Sequence, residues 1–173
     1  MDSHENNIIF RSVVEHSDIH TVVEMAYKIW REHYSGIISQ AQIDYMLEKF
    51  QSENAIFNDI KFKNYEYYLF YLSGEPAGYA AFHREEKRIF LSKIYVSADF
   101  RQKGISRNFV EILSKECAED GLEGIYLTVN RYNEIAIKAY AAMGFTVERE
   151  QVTDIGSGFV MDDFVMFKTA RRI

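Results

Sequence analysis

The stretch from Leu91 to Arg107 constrains the fold most, because it predicts a strand that turns directly into a helix. It reads LSKIYVSADFRQKGISR: an apolar run, a short turn, and then Arg101–Ser106 opening a helix. The first amides of a helix have no intrahelical acceptor, and the helix dipole adds partial positive charge there. Because such a helix start binds phosphate groups well, the sequence predicts an anion-binding turn at this point.

Two better-known phosphate-binding motifs are absent from the sequence. It contains neither G-x-x-x-x-G-K-[ST] nor G-x-G-x-x-G, which excludes a P-loop NTPase and a Rossmann dinucleotide site. The motif at Arg101–Ser106 is instead R-x-x-G-x-S. A basic turn before a helix is more often a solvated cap than a ligand site, so this motif alone does not decide the function.

Length and charge limit the classes of protein and partner. No Pro/Ser-rich linker or low-complexity run divides the 173 residues, so we expect one domain over residues 1–173. The formal net charge of -6 argues against a nucleic-acid partner, because clustered Lys and Arg drive binding to a phosphate backbone. An acidic surface suits a cationic substrate better.

Cysteine, histidine and hydrophobic usage add further expectations. The single cysteine, Cys117, cannot form an internal disulfide, and its position on an apolar helix face predicts core packing rather than nucleophilic chemistry. With no N-terminal signal segment and no apolar run of membrane-spanning length, we expect a cytoplasmic protein and no membrane partner. The five histidines lack metal-ligand spacing, so we expect no metal. The aromatic content permits a homodimer, but no residue commits to one.

The first quarter of the chain predicts one strand and two helices. Ile8–Val14 is an apolar run typical of a strand. Asp18 is then expected to be the N-cap of an amphipathic helix that includes Trp30. A second helix is expected to begin at the capping box formed by Ser39 and Gln42.

Three β runs between Glu66 and Val96 predict an antiparallel meander. The third run changes parity, since Ile89 and Leu91 are apolar at odd positions whereas Ile94 and Val96 are apolar at even positions. A β-bulge would produce this change. A strand with both faces covered would give a similar mixture, so both alternatives stay open.

The rest of the chain predicts a strand on either side of each of two helices. The helix that carries Cys117 leads to a strand at Ile125–Val129, and Asn133 is the expected N-cap of the next helix. In the last strand, Asp162 and Asp163 must point to opposite faces, so at most one of them faces a given pocket. The element order β-α-α-β-β-β-α-β-α-β-β predicts an α/β (α+β) fold. We expect a mixed, largely antiparallel sheet with helices on both faces and one parallel crossover pair.

In element order and motifs, nearly the whole chain resembles the GNAT superfamily of acyl-CoA-dependent N-acyltransferases. The segment from Ile94 to Arg107 looks like the R/Q-x-x-G-x-G/A motif of that family, except that Ser106 stands where Gly or Ala is usual. The segment from Val129 to Phe145 looks like its second acetyl-CoA motif. Within the superfamily, the chain resembles bacterial polyamine acetyltransferases of the PaiA type at Leu91–Val96, Ile155–Met166, Trp30, Tyr34 and Met46–Leu47.

The resemblance implies the GNAT fold, in which the fourth and fifth strands splay apart, and acetyl-CoA as cofactor. Backbone groups of the splayed strand would pair with the pantetheine arm, and the turn would hold the diphosphate. The implied cofactor-binding residues are Ile94, Tyr95, Val96, Arg101, Gln102, Lys103, Gly104, Ile105, Ser106, Arg107, Asn130 and Asn133. Tyr140 lies where the general acid of the family is found, and its alternative role is that of a core tyrosine.

The implied activity is transfer of an acetyl group to a primary amine, such as spermidine or spermine, by direct attack. For the acceptor amine we expect binding by Trp30, Tyr34, Tyr79 and Asp162. The proton acceptor is left open, because the central strand offers Lys93 rather than a carboxylate and a water chain serves equally well. Two other interpretations are a protein or peptide N-acetyltransferase and a non-catalytic acyl-CoA-binding sensor.

Overall fold

The computed structural model describes residues 7–170 of the chain. Seven strands and five helices make up this part of the chain, with a short 3-10 turn at Ala98–Phe100. The elements are β1 (Ile8–Ser12), α1 (His16–His33), α2 (Gln40–Gln51), α3 (Glu53–Phe62), β2 (Glu66–Leu72), β3 (Glu75–Arg84), β4 (Arg88–Val96), α4 (Ile105–Glu119), β5 (Gly124–Asn130), α5 (Glu134–Ala142), β6 (Thr146–Gly156) and β7 (Phe159–Thr169).

The strands form one mixed sheet in the order β1-β2-β3-β4-β5-β7-β6. The pairs β1/β2, β2/β3, β5/β7 and β6/β7 are antiparallel. Parallel pairing joins Arg88–Phe90 of β4 to Gly124–Tyr126 of β5. The predicted mixed sheet with one parallel crossover pair is therefore confirmed, and the splay of that pair stays a prediction.

Backbone packing divides the chain into two compact units. The first unit extends to Phe82 and includes Lys93–Phe109, whereas the second comprises His83–Ser92 and the chain from Val110 onward. The expectation of a single domain over residues 1–173 stays a prediction.

In the first unit, three helices pack on one another beside the β1/β2/β3 meander. The apolar face of α1 is buried, including Val22, Ala26 and Ile29. Each large apolar side chain removed from water in this way contributes roughly 1.5 to 3 kcal/mol. The predicted start of α2 is confirmed, because the backbone N–H of Gln42 donates to the Ser39 hydroxyl at 3.1 Å.

Two details of the first unit differ from the sequence analysis. The prediction that Asp18 is the N-cap of α1 is wrong, because Glu15 is the N-cap and Asp18 lies in the first turn. The Asp18 carboxylate accepts from the backbone N–H groups of Val14 and Glu15, each at 3.2 Å, and acidic residues are favoured at both positions. The additional helix α3 was not predicted. It begins after Ser52, whose hydroxyl accepts from the N–H of Ala55 at 3.3 Å.

The parity change in β4 has a structural counterpart in burial. Lys93 and Ile94 are consecutive strand residues and therefore point to opposite faces, yet both are buried. This pattern matches a strand covered on both faces, which was the second alternative. A bulge in β4 stays a prediction.

In the second unit, β7 pairs with β5 on one side and with β6 on the other. A side chain cannot be accommodated at Gly124, because a Cβ there would collide with the backbone carbonyl of Lys168. Asn133 is the N-cap of α5, as predicted, since its Oδ1 accepts from the N–H of Ala136 at 3.2 Å. Cys117 is fully buried in α4, which confirms its predicted core position.

Candidate functional site

The turn before α4, in the first unit, has the backbone geometry of an anion site. Gln102 and Gly104 both have left-handed backbone conformations, with φ of 61° and 80°. The N–H of Asn108 donates to the carbonyl of Gly104 at 2.9 Å, so helix geometry gives the amides of residues 105–107 no intrahelical acceptor. These amides lie at the positive end of the helix dipole.

Cationic side chains surround this turn. Arg101, Lys103 and Arg107 are exposed, whereas Ile105 is buried and fixes the start of the helix. In the described chain, no heavy atom beyond the adjacent residues lies within 4 Å of the Cβ position at Gly104, so the space beside the turn is open. The arrangement therefore fits a diphosphate.

One backbone group predicted to contact the cofactor already has a partner. The Nε of Arg101 donates to the carbonyl oxygen of Val96 at 3.1 Å. Arg101 therefore connects the end of β4 to the turn before α4. The Val96 carbonyl accepts a second bond only through its other lone pair.

Four aromatic side chains of the first unit form one cluster, named here the aromatic cluster: Trp30, Tyr34, Tyr79 and Tyr95. The ring of Trp30 lies 4.7 Å from that of Tyr34 and 5.5 Å from that of Tyr95, and the rings of Tyr79 and Tyr95 are 5.4 Å apart. Trp30 and Tyr79 are buried, whereas Tyr34 and Tyr95 are partly exposed. The structure thus brings together three predicted acceptor residues and adds Tyr95, which was predicted only as a cofactor contact.

Hydrogen bonds fix the buried side of the aromatic cluster. The indole N–H of Trp30 donates to the Tyr79 hydroxyl at 3.2 Å, and that hydroxyl donates to Oε1 of the buried Gln51 at 3.2 Å. Burial raises the pKa of Tyr79 well above its ordinary value of 10.0, so its hydroxyl stays neutral. The hydroxyls of Tyr34 and Tyr95 lie 3.3 Å apart. The partly exposed rings of Tyr34 and Tyr95 therefore pack on buried side chains that hydrogen bonds hold in place.

His33 adjoins the aromatic cluster without adding charge to it. Its ring stands edge-on to that of Tyr34 at 4.9 Å. Burial, and then the charge of Arg101, lower the pKa of His33 below its ordinary value of 6.5. The imidazole is therefore neutral at physiological pH.

A second group of side chains in the first unit, named here the Asp59 cluster, consists of the buried residues Asp59, Tyr67 and Lys93 and the exposed Lys63. The Tyr67 hydroxyl donates to Oδ2 of Asp59 at 2.8 Å, and Nζ of Lys93 donates to the same oxygen at 3.4 Å. Lys63 pairs with Oδ1 at 2.9 Å. Burial lowers the pKa of Lys93 from its ordinary 10.5, and Asp59 offsets part of that effect.

Sequence reasoning missed Asp59, because it missed the helix that carries it. The signal was present but weak: Ser52 is a good N-cap residue, and Ile56 and Ile60 follow at helical spacing. For Lys93, the sequence shows only that the central strand offers a lysine rather than a carboxylate as a proton acceptor. Its pairing with Asp59 joins residues 34 positions apart.

In the second unit, the predicted site residues shape the segment between β5 and α5. Oδ1 of Asn130 accepts from the N–H of Tyr132 at 3.0 Å, and Asn133 is the N-cap already described. Tyr140 lies on α5, partly exposed, with its ring 5.9 Å from that of Phe145. Their predicted roles toward acetyl-CoA and the proton stay predictions.

The two adjacent carboxyl groups of β7 have different surroundings. The Asp162 carboxylate accepts a hydrogen bond from Nε of Arg131 at 2.7 Å. The residue that we predicted to bind the acceptor amine is therefore part of an ion pair. Asp163 is buried, and its Oδ1 has no hydrogen-bond partner in the described chain. Burial, and then the charge of Asp162, raise the pKa of Asp163 from 3.8 to about 6.

Two further properties concern residues 7–170. Within that range, no group of three or more His, Cys, Asp or Glu residues is placed to hold a metal ion. None of the helices in the same range combines the length and the apolarity needed to cross a membrane.

Comparisons with known proteins identify the family. The profile of the acetyltransferase (GNAT) family matches residues 23–145. A spermidine N(1)-acetyltransferase of Thermoplasma acidophilum is 24% identical over 149 residues, which cover 84% of this chain and 90% of the relative.

Solved structures share the fold. The crystal structure of PaiA N-acetyltransferase from Thermoplasma acidophilum, in complex with coenzyme A, has a TM-score of 0.79 at 22% identity and covers 94% of this chain and 99% of that one. A chimera of the spermidine N-acetyltransferase SpeG from Vibrio cholerae and hSSAT has a TM-score of 0.66 at 16% identity, covering 94% and 95%. On the profile match, this chain belongs to the GNAT family of acetyltransferases, enzymes that use acetyl-CoA.

Proposed function

We propose that this acetyltransferase moves the acetyl group of acetyl-CoA to a primary amine of a polyamine such as spermidine or spermine. The observation that carries the proposal is the aromatic cluster. An alkylammonium has a pKa of about 10 and is therefore charged at neutral pH, and aromatic ring faces attract cations. The relative named as a spermidine N(1)-acetyltransferase supports the same class of acceptor.

Within the aromatic cluster, Tyr34 and Tyr95 are the residues that we assign to the ammonium. They carry the partly exposed rings, whereas Trp30 and Tyr79 are buried beneath them. The buried, hydrogen-bonded side chains beneath these rings lower the entropic cost of binding, because the ligand does not have to order the rings. Asp162, in the second unit, is a separate candidate for binding the acceptor, and it would first have to release Arg131.

The turn before α4 is our proposed site for the diphosphate of acetyl-CoA. The amides of Gln102–Ser106 would donate to phosphate oxygens, and the exposed cations at residues 101, 103 and 107 would offset the charge. Backbone groups of Ile94–Val96 are assigned to the pantetheine arm. Asn130 and Asn133 are assigned to further contacts with the cofactor.

A charge reversal at Gly104 tests the diphosphate assignment. Gly104→Glu places a carboxylate beside the anion site and should abolish acetyl-CoA binding in calorimetry without unfolding the chain. Gly104→Ala is the control, because it shares the strain of a side chain at φ 80° without the charge. Equal binding by both variants would reject the assignment.

Tyr140 is our proposed general acid, which protonates the thiolate that leaves when the amine attacks the thioester carbonyl. General acids contribute about 100-fold to 10,000-fold in rate, so Tyr140→Phe should lower kcat at least about 100-fold while nearly preserving acetyl-CoA affinity. Tyr132→Phe, an exposed tyrosine just before α5, should retain kcat. An unchanged kcat for Tyr140→Phe would remove it from this role.

The acceptor class is tested by thiol release with spermidine, spermine, amino acids and peptides. Polyamine turnover is expected, whereas preference for peptides would favour a protein N-acetyltransferase. No turnover despite tight acetyl-CoA binding would favour a sensor.

Cation recognition is testable without turnover, because Trp30 is the only tryptophan of the chain. Choline has a quaternary nitrogen that cannot be acetylated, and it should change the Trp30 fluorescence. Its uncharged carbon analogue should not, because it lacks the charge that the rings attract.

We extend the proposal to the location and assembly of the enzyme. We place the enzyme in the cytoplasm, because its lone cysteine suits a reducing compartment. A homodimer is compatible with the aromatic content. Sedimentation analysis decides between monomer and dimer.

A further inference from the structure

We propose that Lys93 is the general base of this enzyme, and that its neutral amine accepts a proton from the acceptor ammonium. In this role Asp59 holds the ammonium that forms on Lys93, and Tyr67 orients Asp59. The inference rests on the proposed function, since it requires an amine acceptor.

The chemistry requires a proton acceptor. Only the neutral amine has a lone pair for attack on a thioester carbonyl. With a pKa of about 10, roughly one alkylamine molecule in a thousand is neutral at pH 7. A base positioned near the bound ammonium would remove this limit, and bases of this kind contribute about 100-fold to 10,000-fold in rate.

The charge balance of the Asp59 cluster allows Lys93 to be neutral. Two lysines share the single carboxylate of Asp59, Lys63 on Oδ1 and Lys93 on Oδ2. With both lysines protonated the group carries a net charge of about +1, part of it on a buried ammonium, which is unfavourable. Loss of the proton from Lys93 leaves the Asp59–Lys63 pair intact, so no charge is left unpaired.

The surroundings of Lys93 act in both directions on its proton. The Lys93 side chain is 8% exposed, and the charge of Lys63 adds to the effect of burial in lowering its pKa. Asp59 opposes that effect, as do the ring faces of Tyr67 and Tyr65, whose centroids lie 5.2 and 5.7 Å from Nζ. The lowered pKa favours the neutral form of Lys93, which is the form that accepts a proton.

The topology of the first unit places Lys93 next to the aromatic cluster. Lys93 and Tyr95 are two positions apart on β4 and therefore share one face of the strand, about 7 Å apart. On the neighbouring strands, Tyr67 of β2 pairs with Ala81 and Leu69 pairs with Tyr79, so Tyr67 and Tyr79 are diagonal neighbours on one face. The two clusters thus adjoin within one unit.

The proposed step moves one proton to Lys93 before the acetyl group is transferred. R–NH₃⁺ gives one proton to the neutral amine of Lys93, producing R–NH₂ and the Lys93 ammonium. The lone pair of R–NH₂ forms the new bond to the thioester carbonyl carbon, and the carbon–sulfur bond breaks. The second proton lost by the nitrogen balances protonation of the thiolate, which leaves as the thiol of coenzyme A. Lys93 then releases its proton to solvent.

The decisive variant is Lys93→Arg, which keeps a cation for Asp59 but cannot deprotonate in a protein. We expect kcat with spermidine at pH 7 to fall at least about 100-fold, with acetyl-CoA affinity close to that of the wild type. The deficit should shrink as pH rises toward 10, because free neutral amine then becomes abundant. An unchanged kcat and pH profile would assign Lys93 a purely structural role and overturn the proposal.

A neighbouring pair of variants separates charge from general effects of mutation. Lys63→Ala removes a charge that lowers the Lys93 pKa, so the acidic limb of kcat/KM should move to higher pH. Lys61→Ala removes an exposed lysine two positions earlier, in the last turn of α3, and should leave the profile unchanged. Identical profiles for both variants would contradict the charge argument.

A direct titration decides the point even when a variant fails to fold or no amine is acetylated. The ¹³Cε resonance of Lys93 in the labelled wild-type protein, followed from pH 6 to pH 11, should titrate below the ordinary 10.5. Titration at or above 10.5 would overturn the proposal by itself. Absence of amine turnover by the wild type would instead reject the proposed function.

Discussion

Asp59 and Asp163 are both buried carboxyl groups, but their surroundings differ. Asp59, in the first unit, has a tyrosine hydroxyl and two lysines on its two oxygens. Asp163, in the second unit, has an Oδ1 without a partner and a second carboxylate, that of Asp162, as its sequence neighbour. Both side chains are about one tenth exposed or less.

The difference shows that partners, rather than depth of burial, decide what a buried carboxyl group does. A carboxylate with donors and cations around it can remain charged and hold other groups in place. One without them takes up a proton at a higher pH than usual, as the raised pKa of Asp163 indicates. Removal of the two carboxylates should therefore have opposite effects on stability.

The largest effect is expected from Asp59→Asn. It leaves the Lys93 ammonium buried without a counter-charge, which costs about 3 to 5 kcal/mol in comparable cases. The loss should shrink as pH rises, because the lowered pKa of Lys93 favours the neutral amine, which needs no counter-charge. Urea unfolding at several pH values measures this effect. The exposed Asp44→Asn should cost less than about 1 kcal/mol, and an equal loss in both variants would contradict the comparison.

A gain in stability is expected from Asp163→Asn at pH 8. The shift of a pKa from 3.8 to about 6 corresponds to at most about 3 kcal/mol. Because the folded state binds the proton more tightly, wild-type stability should fall as pH rises from about 4 to 6 and stay lower above that range. The variant should lack this fall and match the wild type below pH 4.

The control for this second prediction is Asp162→Asn, which removes the neighbouring carboxylate from its pair with Arg131. It should not raise the free energy of unfolding to the same extent. A wild-type protein whose stability is flat between pH 4 and pH 6 would show that Asp163 is not the proton-binding group inferred here.

A smaller loss is expected from Tyr67→Phe, which removes one hydrogen bond to Asp59 but leaves both lysines. Hydrogen bonds to charged groups contribute about 1.5 to 3 kcal/mol. Tyr71→Phe on the same strand removes an exposed hydroxyl that accepts from Arg11, and it should cost clearly less. If Tyr67→Phe proved as costly as Asp59→Asn, the hydroxyl rather than the ion pairs would dominate the cluster.

Much of the fold was predictable, because local signals determine it. Residues a few positions apart determine the strand, turn and helix around Arg101–Ser106 and the cap at Asn133. The same holds for the antiparallel meander between residues 66 and 96. Local pattern puts the N-cap of α1 at Asp18, three residues after the true cap Glu15, since an acidic residue is favoured both at the cap and in the first turn.

The buried polar contacts were not predictable from local pattern. Trp30 and Tyr79 are 49 positions apart, and Asp59 and Lys93 are 34 apart. A lysine in a strand normally indicates a solvent-facing position. Only the fold supplies the carboxylate and the tyrosine rings that allow Lys93 to be buried.

Cys117 offers a way to follow motion in the second unit. It is the only thiol of the chain and is fully buried, and burial raises its pKa. A disulfide reagent can therefore react only when α4 opens, and at a rate that the population of the open form controls. The reaction rate would therefore report the local unfolding of α4. A slower reaction in the presence of acetyl-CoA would measure how strongly the cofactor stabilises that helix.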